Sequence, residues 1–114
     1  MVDVRLINHH QISTQIIPAV MDSGSSINLF HSYFGQQIGI NVNKGKLVKI
    51  NGIGNIVINT YVHDLTLMVG KFKIITQVHF SDNQRYYQII GTCTFQQFNR
   101  IIFHEAKKIL ILEK

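Results

Sequence analysis

Along residues 60–69, TYVHDLTLMV, the side chains alternate: Tyr61, His63, Leu65, Leu67 and Val69 fall on one face, and Val62, Asp64, Thr66 and Met68 on the other. A repeat of two is the mark of a strand, because successive Cβ atoms point to opposite faces of a sheet. Similar short runs occupy 2–6, 13–21, 47–50, 56–58, 72–80 and 87–90, separated by the turn-prone segments NHHQ, NGIGN, VGK and SDNQ. Strands at this density predict an all-β chain, closed or two-layered. Two segments break the alternation. Phe30, Tyr33, Phe34 and Ile38 recur at helical spacing and Gly39 can supply a left-handed stop, so a short helix is expected over 31–38. TFQQF at 94–98 has room for one or two further turns. IIFH (101–104), EAKK (105–108) and ILIL (109–112) then read as a hairpin that ties the C-terminus into a sheet.

Composition narrows the class. The 114 residues are 46% apolar and 15% charged, which excludes a disordered chain and leaves no room for two lobes. There is no internal repeat, low-complexity tract or linker, and Pro18 is the only proline, so residues 1–114 are expected to form one domain. No stretch reaches the roughly 18 uninterrupted apolar residues of a membrane span. Residues 1–30 lack the charged start, apolar block and cleavage site of a secretory signal, so a soluble chain with no membrane partner is expected. Cys93 is the only cysteine, which leaves no internal disulfide and suits a reducing compartment. The net charge of +5 comes from Lys and Arg spread along the chain, with one loose cluster at Lys44, Lys46 and Lys49. That scatter fits solubility and guarded strand edges and argues against a nucleic-acid partner.

Against this background Asp22 stands out. The apolar run QIIPAVM (15–21) delivers it to a strand end, and Gly24 lets the backbone turn sharply beside it. An isolated Asp-Ser-Gly is most simply a turn in which the carboxylate bonds its own backbone. The neighbouring segments change that reading. PAVMDSGSSINLF (18–30) resembles the active-site strand and turn of the retroviral and retroviral-like aspartic proteases. KLVKINGIGNIVI (46–58) resembles their flap hairpin, with Gly52, Ile53 and Gly54 at its tip. YQIIGTCTFQQF (87–98) resembles their apolar-apolar-Gly landmark and the short helix after it. Three motifs in the family's order, spanning about residues 2–112, are far more specific than any one.

The resemblance implies a single-lobe, retropepsin-like barrel with one or two short helices and a flap, acting as an aspartic endopeptidase on extended peptide or polyprotein substrates. Such chemistry needs two carboxylates sharing one proton, one to activate a water and the other to donate to the scissile carbonyl. This chain has one DSG, and Asp3, Asp64, Asp82, Glu105 and Glu113 do not repeat its setting. The simplest source of the second carboxylate is a second copy of the chain, in a homodimer whose two-fold axis passes between the two Asp22 side chains. By the resemblance, Asp22 is the catalytic acid or base, the Ser23 hydroxyl ties the two Asp loops together, and Gly24 lets the backbone approach substrate. Asn51, Gly52, Ile53, Gly54 and Asn55 close over the peptide. Ile89 and Ile90 wall its pockets, Ser25 and Ser26 complete the substrate contacts, and Gly91 packs under the catalytic loop. Neither a cofactor nor a metal is expected, and the implied location is the cytoplasm or a virus or retroelement particle.

The retroviral pattern often has an acidic residue two places beyond the DSG and an Arg after the Gly landmark, which support each other. Here those places hold Ser26 and Thr92. The closing hairpin also favours a dimer interface built from C-terminal hairpins over one of four interleaved terminal strands. The alternative function is a noncatalytic dimerisation or peptide-binding module on the same fold. Other constellations carry less: NGIGN precedes a strand, where a dinucleotide loop opens a helix. Cys93 reads as packing, His9 and His10 as solvated loop residues, and no G-x-S-x-G elbow supports a serine triad.

Overall fold

The computed structural model describes residues 1–9, 11–13, 15–51, 55–83, 88–97, 100–104 and 109–113; for residue 95 and the last two segments the description is of the backbone. The strands are β1 (Val2–Asn8), β2 (Gln11–Ile12), β3 (Ile17–Met21), β4 (Asn28–His31), β5 (Lys46–Asn51), β6 (Val57–Val69), β7 (Phe72–Ser81), β8 (Gln88–Ile90), β9 (Arg100–His104) and β10 (Ile109–Glu113). Helix α1 (Ser32–Gln37) follows β4, a single 3-10 turn (Val42–Lys44) precedes β5, and α2 (Thr92–Phe95) follows β8. No helix among the described residues is long and apolar enough to cross a membrane.

The chain is all-β in its framework, and the sheet closes. Its order is β2-β1-β3-β8-β4-β7-β6-β5, and β1 also pairs antiparallel with β6, so β1, β3, β8, β4, β7 and β6 form a ring. Closure leaves those strands no free edge, with β2 and β5 attached outside the ring. Inside lie Val4, Leu6, Ile17, Ala19, Phe30, Leu67, Ile74, Phe80 and Ile90, all almost completely buried. Each large member of this set stabilises the fold by about 1.5–3 kcal/mol relative to exposure.

The alternation at 60–69 holds: Leu65, Leu67 and Val69 are buried and Asp64 is exposed. The runs 56–58 and 60–69 are not separate strands, because β6 is continuous through Thr60. Thr60 is fully buried, and its hydroxyl donates to the Val48 carbonyl at 2.7 Å across the β5–β6 pair. That bond satisfies a polar side chain which would otherwise break the apolar row.

Two local readings are corrected. The run 13–21 yields only Ile17–Met21, because Ser13 turns back on β1: its N–H donates to the Leu6 carbonyl and its Oγ accepts from the Leu6 N–H. The helical spacing that began at Phe30 straddles a junction, since Phe30 belongs to β4. His31 caps α1 by accepting the Tyr33 N–H on Nδ1 at 3.0 Å. The helix sits on the barrel through Ser32, Gly35 and Ile38, leaving Tyr33 exposed. Gly39 ends it as expected, at φ +79°.

The C-terminal hairpin forms with the register Ile109↔His104 through Glu113↔Arg100, as a two-stranded sheet of its own. Its EAKK turn lies outside the described residues. The turn expected in TFQQF begins earlier, at Thr92.

Candidate active site

β3 and β8 run parallel, with Ala19↔Gln88, Val20↔Ile89 and Met21↔Ile90 in register. Parallel neighbours release their chains at the same end of a sheet. The Asp22 loop and the Gly91 turn therefore emerge side by side, and three contacts join them. The Asp22 N–H donates to the Ile90 carbonyl at 2.9 Å, and the Thr92 N–H donates to the Ser25 carbonyl at 2.8 Å. Gly91 lies so close to Ile27 that a Cβ there would overlap the Ile27 backbone, which bears out its expected packing under the loop.

Asp22 is half-buried at the exit of β3. Its Oδ1 accepts the Gly24 N–H at 2.8 Å, and its carbonyl accepts the Ser25 N–H at 3.1 Å, so the loop is an Asp-initiated turn. Oδ2 makes no hydrogen bond among the described residues. A side chain at Gly24 would begin 3.1 Å from Oδ1, so glycine keeps the approach to the carboxylate open. Ser23 and Ser26 are exposed. Ser25 faces inward along the loop: its Oγ donates to the Ile27 carbonyl at 2.8 Å and accepts the Ile27 N–H at 3.3 Å.

Ile89 is half-buried, opposite Val20 on one side and Leu29 on the other. Ile90 is fully buried in the core, and what it presents to the loop is its carbonyl. β5 and β6 form the expected hairpin, paired from Lys46↔Val62 to Asn51↔Val57. Gly52, Ile53 and Gly54 lie outside the described residues. Asn55 is exposed at φ +62°, and Leu47, Ile56 and Val57 of this arm expose much of their apolar surface.

Among the described side chains, Asp3, Asp64 and Asp82 do not share the turn. Asp3 lies opposite Pro18, four residues from Asp22 along β3, which at about 3.3 Å per residue is roughly 13 Å away. Asp64 is exposed opposite Gln77, and Asp82 follows β7 in an exposed turn. Glu105 lies outside the described residues, and Glu113 is described by its backbone.

One residue of this region escapes the sequence reading. Asn28 is fully buried at the start of β4. Its Nδ2 donates to Thr76 Oγ1 at 3.2 Å and to the Gln77 carbonyl at 2.9 Å, while its Oδ1 accepts the Gly91 N–H and the Thr94 hydroxyl, each at 3.0 Å. The available signal was a lone amide between Ile27 and Leu29. Gln88 is a second such residue, its Oε1 accepting the His31 N–H at 2.8 Å.

No family model matches the chain, and no curated protein matches its sequence. Among solved structures, EIAV protease complexed with the inhibitor HBY-793 superimposes with a TM-score of 0.61 over 83% of each chain, at 15% identity. The fold is retropepsin-like. At that identity the likeness is one of architecture, and the chemistry has to be argued from the residues of this chain.

Proposed function

We propose that the chain is one protomer of a homodimeric aspartic endopeptidase, in which Asp22 from each of two copies binds and activates one water. The observation that carries this reading is the placement of Asp22: a carboxylate at a strand end, with one oxygen held by Gly24 and the other without a hydrogen bond among the described residues, on a retropepsin-like fold. Asp3, Asp64 and Asp82 are on other elements, which supports a second copy as the source of the second carboxylate. Side by side, two carboxylates cannot both ionise freely, so the pair keeps one proton. The ionised member takes a proton from water as it attacks the scissile carbonyl, and the protonated member donates to the carbonyl oxygen.

The Ser23 hydroxyls link the two loops across the axis. The β5–β6 hairpin acts as the flap, with Asn51 to Asn55 over the peptide, and the exposed apolar side chains of Ile56 and Val57 suit an extended substrate. Such a substrate adds strand-like hydrogen bonds above and below. Ile89 walls a side-chain pocket, Ser26 meets the peptide at the loop edge, and Ser25 and Ile90 shape the floor from behind. The C-terminal hairpins form the interface. The retropepsin-like fold supports a viral or retroelement setting, with a polyprotein as substrate.

The test incubates the chain and its Asp22→Asn variant with a denatured-protein or peptide library between about pH 4 and pH 7, where such pairs commonly keep one proton. Cleavage by the first, blocked by statine compounds, and none by the second is expected. Equal cleavage by both would end this reading. Peptide binding without cleavage would leave the noncatalytic module.

A further inference from the structure

We infer that Asn28 is the positioning residue of the Asp22 loop, a role that rests on the proteolytic reading above. An amide carries two donor and two acceptor sites, and in Asn28 all four are used within a fully buried setting. The donor side grips β7 through Thr76 and Gln77. The acceptor side grips the Gly91 turn and, through Thr94, helix α2. Thr94 is itself fully buried.

The Gly91 turn in turn holds both ends of the catalytic loop. Ile90 accepts the Asp22 N–H before the turn, and Thr92 donates to Ser25 after it. Gly91 has no room to slide, because its Cα faces the Ile27 backbone. Any shift of the turn relative to β7 is therefore passed to Asp22, and Asn28 is the buried side chain that ties the turn to β7, with Gln97 adding a longer, exposed bond from just beyond α2 to the Ile75 carbonyl. The Ser26 and Thr92 positions offer no ion pair to do this. A carboxamide is also neutral, so its bonds hold unchanged over the acid range in which a carboxylate pair keeps one proton.

The experiment uses the full chain and compares Thr94→Val, which removes one hydroxyl from Asn28 Oδ1, with Ser13→Ala, which removes another buried hydroxyl from a bond to the Leu6 N–H. Amide hydrogen exchange is read at Asp22, Gly24 and Thr92, and kcat and KM are measured per active site titrated with a statine inhibitor. Thr94→Val should speed exchange at those amides and lower kcat by about fivefold, the scale of one lost neutral hydrogen bond, with KM unchanged. Ser13→Ala should change neither. Asn28→Asp should add a limb to the pH profile of kcat, because the introduced carboxyl can donate to Gln77 only when protonated. Equal exchange at the loop amides in Thr94→Val and Ser13→Ala would overturn the assignment, whether or not peptide is cut. A chain that cuts nothing but whose loop amides respond to Thr94→Val retains this positioning and loses the proteolytic reading.

Discussion

The Asp22 N–H donates to the carbonyl of Ile90 at 2.9 Å, so the carboxylate is held by the neighbouring parallel strand as well as by its own turn. A turn that closed only on itself could pivot about the end of β3. Cross-strand anchoring removes that freedom, and rigid placement is what a reacting group requires.

Gly91 tests this anchoring. A methyl group there would meet the Ile27 backbone, which has no rotamer with which to move aside. Gly91→Ala is expected to destabilise the fold by about 1–3 kcal/mol, the scale of overpacking, measured by urea denaturation. Any folded fraction should cut peptide more slowly than the native chain. Unchanged stability would mean that the turn and loop are not pressed together.

His79 sets a pH dependence of stability. The Thr60 hydroxyl gives its one proton to Val48, so it accepts from His79, which places the ring proton of the neutral imidazole on Nδ1. The ring borders an open recess of about 290 Å³ also lined by Lys46, Val48, Val62, Asp64 and Gln77. Burial lowers its pKa below the ordinary 6.5. The unfolded chain then binds more protons than the folded one between 6.5 and the lowered value. Stability from this group is complete above 6.5 and declines as pH falls through that window. Urea midpoints between about pH 7.5 and pH 5 should show the decline, and His79→Asn should flatten it. An identical slope in the variant contradicts the assignment.

Asn55 lies in the left-handed region, which asparagine tolerates and β-branched residues do not. Asn55→Gly should leave thermal stability and cleavage nearly unchanged. Asn55→Val should cost about 1–2 kcal/mol in the hairpin and raise KM, as an arm that closes less readily over substrate. Equal KM in both variants would remove the hairpin from substrate binding.

The legible parts of the fold were those written in local pattern. Leu65, Leu67 and Val69 announced their buried face by alternation, and Gly39 announced the helix stop. Phe30 misled because a four-residue strand and a six-residue helix abut at His31, and their apolar positions merge into one helical period. The parallel pairings of β3 with β8 and of β4 with β7 had no local trace, since each joins segments far apart in the chain. At the site, Asp22, Gly24 and Gly91 could be found by motif. Asn28 could not, because its importance lies in four partners that only the closed barrel assembles.

Mixing chains tests most directly whether one active site is built from two copies. Native and Asp22→Asn chains, unfolded together and refolded at varied ratio and constant total concentration, assort into dimers at random if both fold alike. A site that needs both carboxylates makes activity follow the square of the native fraction, about a quarter of full activity in an equal mixture. Activity proportional to the native fraction, about half in the same mixture, would show that one chain suffices and would contradict the account.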